Sequence, residues 1–255
     1  MSGAPGARLR SIEIVEDLTA ASRCDEGFLR LRRLRLRNRY EDGSESAVYP
    51  CDVLSRPGSD AVVAVLYEID GARRIRVLLR DAPRAPVYLR HARRFVHPDP
   101  RVYLTLLELV AGLVEESDGA GDLGLCRRAA IEAHEEAGLQ LRAEDFRVLG
   151  GESFASPGTG DEKLRFCAAA TALAAASAGH GDGSVMEEGA RLVSLELADA
   201  IEACRRGAIP DMKSELGLLR LADHLGYLPQ LRCFVDELPP ALAARYTRLG
   251  IDPGS

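Results

Sequence analysis

Residues 108–139, ELVAGLVEESDGAGDLGLCRRAAIEAHEEAGL, decide how the rest of the chain is read. From about Leu123 or Leu125 to Ala137, alanines and charged residues dominate and no β-branched run intervenes, which predicts a helix stopped by Gly138. Glu132, Glu135 and Glu136 fall at i, i+3 and i+4, so three carboxylates leave one face of that helix. Three anions so close repel one another unless a cation sits among them. Oxygen ligands suit Mg2+ or Mn2+ rather than zinc. The plainer reading of the same residues is a solvated acidic face.

Composition bounds the rest. A chain of 255 residues holds one sizeable core with a small appended domain, or two small domains. A net charge of −6 and a pI near 5.5 argue against a general nucleic-acid binder. No window approaches a membrane span, and MSGAPGARLRS lacks the apolar core of a signal peptide. Cys24, Cys51, Cys126, Cys167, Cys204 and Cys233 are scattered, with neither zinc nor disulfide spacing, so a reduced cytoplasmic setting is expected.

Outward from the central stretch, FLRLRRLRLRNRYEDG (28–43) alternates leucine and arginine with one extra residue at Arg32-Arg33. That predicts a strand with a bulge or register break, an Asp42-Gly43 turn, and a returning strand over 47–54. Its six arginines between Arg30 and Arg39 fit either a solvated strand face or a nucleic-acid surface. Val62–Tyr67 and Ile75–Leu79 predict a hairpin leading into the main core. Residues 81–101 read as an irregular Arg/His/Pro-rich excursion, and His91 and His97 lack the neighbours a metal site needs. Further strands are expected at Val102–Leu107, Phe146–Phe154, from Lys163, and at Arg191–Leu197. Asp199 is expected to cap a helix running to Arg206, and a long helix to follow Asp211 and Lys213, a helix-start pair. Residues 177–189 read as a Gly-rich loop, and the last 25 residues as a short helical extension.

The central stretch resembles the Nudix hydrolase signature: a Gly, five residues, a Glu, seven residues, then Arg-Glu-apolar-x-Glu-Glu-x-Gly-apolar. Gly112 and Asp118 take the first two places, and Glu132, Ala133, Glu135, Glu136, Gly138 and Leu139 the last block. Asp118 replaces a Glu, Ile131 stands where the family has Arg, and twelve residues separate Asp118 from Ile131, with GAGDLG read as an enlarged loop. Arg128, one turn before Glu132, is the candidate substitute for the missing Arg. Arg56-Pro57-Gly58 and Ser156-Pro157-Gly158 followed by Glu162 resemble the ADP-ribose and nucleotide-sugar pyrophosphatase branch.

That resemblance implies an α/β fold, an α/β/α sandwich with a mixed central sheet, preceded by a small antiparallel β-domain. The division is 1–57 for the start and β-domain (dimerisation), 58–228 for the Nudix domain and 229–255 for the extension. It implies an enzyme: Mg2+-dependent (Mn2+ as alternative) hydrolysis of the diphosphate of ADP-ribose or a nucleotide sugar, giving NMP and a sugar phosphate. Implied metal ligands are Ala111, Asp118, Glu132, Glu135 and Glu136, with Glu108 as a further metal-proximal candidate. Implied catalytic residues are Glu162, Glu135 and Glu136, with Glu162 favoured as base. Implied substrate contacts are Arg56, Arg80, Arg84, Ser156 and Gly158. The implied partners are a nucleoside diphosphate substrate and a second copy in a homodimer, with no membrane and no nucleic acid. Two alternatives stay open: a non-catalytic Nudix-like ligand sensor, and an RNA-binding or cap-processing protein.

Overall fold

The computed structural model describes residues 27–41, 44–177 and 189–246. The expected Asp42-Gly43 turn, most of the Gly-rich loop with Glu187 and Glu188, and the two ends of the chain lie outside these residues.

The arginine-rich segment forms β1 (Arg30–Leu36), antiparallel to β2 (Tyr49–Ser55) in unbroken register from Arg30↔Ser55 to Leu36↔Tyr49. The register break expected at Arg32-Arg33 is therefore wrong. The ladder stays intact and the leucines change face: Leu31 lies with Arg33 and Arg35, whereas Leu34 and Leu36 lie with Arg30 and Arg32. A ribbon with neither face buried in a core does not force its apolar residues to one side.

β3 (Ala61–Ile69) and β4 (Ile75–Pro83) form the predicted hairpin, but they pair only near its turn, from Tyr67↔Val77 to Ile69↔Ile75. Asp70 stabilises that turn by accepting from the backbone N–H groups of Ala72 and Arg74 and from the Arg74 side chain. Beyond it the strands part. After α1 (Ala85–Tyr88) the chain returns as β5 (Thr105–Glu108) along β4, then β6 (Val110–Leu113) along β3. Each is antiparallel to its partner and the partners are antiparallel to each other, so the chain reverses at Leu109. Residues 105–113 thus fill the mouth of the hairpin as a wedge.

α2 (Gly121–Ala137) follows, two to four residues longer at its start than expected. Only Gly119 and Ala120 of the supposed loop GAGDLG stay outside the helix. Gly138 ends it in the left-handed conformation (φ 65°). The expected strand 146–154 divides into β7 (Phe146–Val148) and β8 (Ser153–Phe154), both antiparallel to β9 (Lys163–Ala170). β9 runs parallel to β3, and β10 (Arg191–Glu196) pairs antiparallel with β4, giving a mixed eight-stranded sheet. α3 (Leu197–Arg205) starts ahead of Asp199, which lies in its first turn instead of capping it. α4 (Met212–Leu225) is capped by Asp211, which accepts from the Ser214 N–H at 3.1 Å. A two-residue pair, β11 (Tyr227–Leu228) and β12 (Cys233–Phe234), and the short α5 (Pro240–Ala243) complete the described chain.

Alternation along β3 divides the core. Val62, Ala64 and Leu66 pack with α2, and Ala61, Val63 and Val65 with α3 and α4. The result is an α/β fold with a mixed central sheet and helices on both faces. No described helix is long and apolar enough to cross a membrane.

Candidate active site

α2 approaches the sheet closely because Ala129, Ala133 and Ala137 form its buried stripe. The adjacent row at the same four-residue spacing is Arg128, Glu132 and Glu136, all buried. This row faces the wedge. Gly112 is the one glycine of the wedge, and a Cβ there would fall 1.7 Å from Glu132 Oε1 and 1.9 Å from its carboxyl carbon, so the Glu132 side chain would have to shift. Glu136 accepts from the Ala111 N–H at 3.2 Å and from Arg80 at 2.7 Å. The Arg80 and Glu136 side chains are each only 4% exposed. A buried pair of this kind contributes little net stability, but removing one partner alone costs about 3–5 kcal/mol.

Arg128 gathers the other carboxylates. Its Nε donates to Asp118 Oδ2 at 2.9 Å, and its terminal nitrogens reach Glu115 at 3.0 Å and Glu132 at 3.6 Å. Asp118 also accepts from the Glu115 N–H at 2.7 Å, closing the turn that leads into α2. Burial works against the Arg128 charge, but the bond to Asp118, aided by Glu115 and Glu132, outweighs it and leaves the guanidinium pKa raised. Ile131, at the place of the missing arginine, is exposed. Arg128 therefore contacts from one turn earlier the carboxylates that Ile131 cannot hold.

Glu108, at the apex of the wedge, is buried between Arg84 and Lys213 and is bonded to both. Burial again opposes the Arg84 charge, and Glu108, with Glu136 and Asp211, more than offsets it. The first turn of α4 fixes this apex twice. Lys213 joins Glu108 to Asp211, and the fully buried Ser214 hydroxyl donates to Asp211 while accepting from the Leu109 N–H at 2.8 Å. Lys213, expected only as half of a helix-start pair with Asp211, and Ser214, which nothing in the sequence singled out, are site neighbours. Asp211 followed by a run of helix formers was legible as a cap. The 105-residue separation from Glu108 hid the rest.

The Ser-Pro-Gly loop sits at the same end of the sheet, since Leu164 pairs with Ala61 and Ala61 with Leu113. Ser156 Oγ lies 2.8 Å from Thr159 Oγ1, and its carbonyl accepts from the Thr159 and Gly160 N–H groups, so Ser156 shapes the turn. Gly158 is exposed at its tip. Glu162 is paired with Arg56, and the Leu54 N–H donates to the Thr159 carbonyl at 2.8 Å, so β2 and its exit hold this loop. Gly58 (φ 60°) brings that exit against the residue that follows β6: a Cβ there would lie 3.1 Å from the Val114 carbonyl oxygen.

Glu132, Glu136, Asp118, Ala111, Arg80 and Arg84 are thus brought to one mouth, with Glu162 and Arg56 paired at the sheet end beside it. Glu135 is half-exposed and lies off the buried row. Among the described residues, no three His, Cys, Asp or Glu side chains gather as a group that would hold a metal ion in this arrangement, and the buried carboxylates face arginine or lysine instead.

No protein-family model matches the sequence. Over 117 residues the chain is 28% identical to the ADP-ribose pyrophosphatase of Haemophilus influenzae. The matched stretch covers 46% of this chain, which in turn spans 46% of that protein's length. The similarity suggests a distant relationship to the Nudix superfamily and selects no branch within it.

Proposed function

We propose that this protein is a Nudix-type pyrophosphatase that hydrolyses ADP-ribose or a nucleotide sugar, giving NMP and a sugar phosphate. The observation that carries the reading is the fit of Glu132 against the Cβ-less face of Gly112, with Glu136 on the neighbouring Ala111 N–H. Two buried carboxylates at one wedge of backbone form an all-oxygen donor set of the kind that suits Mg2+ or Mn2+. Glu132, Glu136 and Glu135, with the Ala111 carbonyl, are the residues that would hold the ion. When bound, such an ion neutralises charge on the bridged phosphates and lowers the pKa of a coordinated water.

The chain's own groups account for the remaining work. Arg84 and Arg56 offer planar N–H pairs for phosphate oxygens. Arg80 and Arg128 set the positions of Glu136 and Glu132. Glu162, once off Arg56, accepts the proton of the attacking water. The water oxygen bonds to one phosphorus, the bridging P–O bond breaks, and its electrons leave with the departing phosphate. The β1–β2 ribbon serves homodimer formation in this reading, and the free Cys51, Cys126, Cys167, Cys204 and Cys233 suit a reducing cytoplasm.

A specific observation favours a second reading, a ligand sensor without chemistry: Arg80 and Arg128 already compensate the carboxylates an ion would need. A panel of ADP-ribose, UDP-glucose and ADP-glucose, assayed with Mg2+ and product identification, separates the two. The proposal expects turnover of at least one substrate and its loss in Glu136→Gln. Binding without turnover would leave the sensor.

A further inference from the structure

The excursion between β4 and β5 carries a charge opposite to the rest of the molecule. Residues 84–104 contain Arg84, Arg90, Arg93, Arg94 and Arg101 against the single acid Asp99, in a chain of net charge −6. Both ends are rooted at the wedge. Arg84 bonds Glu108, and the chain re-enters at Thr105, opposite Pro83. The helical stretch from Ala85 through the 3-10 turn Leu89–Ala92 rises about 14 Å at most, and two further Cα steps of about 3.8 Å keep Arg94 within about 22 Å of the Arg84 backbone.

Glu108 and the shared Asp99 offset only part of this charge. Arg90 and Arg93 lie over the Phe95 ring, at 4.2 and 5.3 Å from its centroid. An aromatic face orients a guanidinium but cancels none of its charge. Asp99 is shared by Arg90 at 3.9 Å and Arg101 at 3.7 Å, and Arg101 also donates to the Gly207 carbonyl. Arg93 and Arg94 are exposed and pair with no carboxylate among the described residues. Neighbouring Val96 is 94% exposed, so burial does not explain the segment.

We infer that this excursion is a phosphate-binding ledge that selects substrates bearing a phosphate beyond the scissile diphosphate. The additional group is a phosphate monoester on a ribose or a further link of a polyphosphate chain; either presents the oxygens that Arg93 and Arg94 would take. The inference rests on the pyrophosphatase reading for its location, and its test separates the two.

Binding of inorganic tripolyphosphate to the full-length, metal-free protein at low salt isolates the ledge. Wild type is expected to bind, the Arg93→Gln/Arg94→Gln double variant to bind at least ~10-fold more weakly, and added salt to weaken binding by screening. In the kinetic arm, ADP-ribose, ADP-ribose 2′-phosphate and diadenosine tetraphosphate are compared. A wild-type preference in kcat/KM for one of the last two, lost about tenfold in the double variant with ADP-ribose turnover unchanged, supports the ledge and identifies which phosphate it takes. Equal tripolyphosphate affinity in both proteins overturns it. So does a loss confined to binding of a single-stranded RNA oligonucleotide. If wild type turns over nothing, the pyrophosphatase reading falls while the tripolyphosphate arm still decides the ledge.

Discussion

Adding one carbon to Gly112 would drive it into the Glu132 carboxyl group, at 1.7 and 1.9 Å, and the glutamate would have to leave the wedge. Its way out is restricted by Arg128 and by the packed stripe of α2. Gly112→Ala is therefore expected to cost about 1–3 kcal/mol in denaturant unfolding and to lower turnover by about 100-fold. Unchanged stability and activity would show that Glu132 is free to move. At this scale the sequence was legible where local geometry rules. The four-residue spacing put Arg128, Glu132 and Glu136 on one row of the helix, with Arg128 within reach of Glu132. What spacing could not show is that Glu135 turns outward while Glu136 meets Arg80, 56 residues away in the chain. Nor could it show that Asp118 serves Arg128 and a turn. Those choices depend on which backbone the helix meets.

Among elements, α2 departs most usefully from expectation. Gly121 to Gly124 look like loop by composition, because glycine is the poorest ordinary helix former. They are helical because Gly124 packs on the turn before it: a Cβ there would lie 2.0 Å from the Gly119 carbonyl oxygen. Gly119 itself (φ 82°) holds a conformation that favours glycine. Propensity alone says Gly124→Ala should stabilise by about 1 kcal/mol. The packing says the opposite, and we expect a loss of about 1–3 kcal/mol in thermal or denaturant unfolding, since a backbone oxygen cannot swing away as a side chain can. A gain would return these residues to loop. The other end of the helix was legible, since Gly138 supplies the left-handed cap. The β3–β4 hairpin was legible as well. Its opened mouth was not, because only the non-local pairing of residues 105–113 separates the strands.

For the whole molecule, the two cores on either side of β3 follow from the unbroken apolar run Ala61–Leu66, whose side chains alternate between the two faces of the sheet. The β1–β2 ribbon does not share in either core. Leu34, Leu36, Cys51 and Val53 form one half-buried face of a two-stranded ribbon that would be marginal alone. Light scattering is expected to give a dimer for wild type and a monomer for Leu34→Asp/Leu36→Asp; a monomeric wild type would leave that face without the assigned role. The central claim, that the buried row of α2 gathers a divalent cation at the wedge, is tested most directly by titrating the protein with Mn2+ and following free ion by electron paramagnetic resonance. The account predicts saturable binding, competed by Mg2+ and weakened more than about tenfold in Glu132→Gln and in Glu136→Gln. No saturable binding, or binding indifferent to both substitutions, would contradict it.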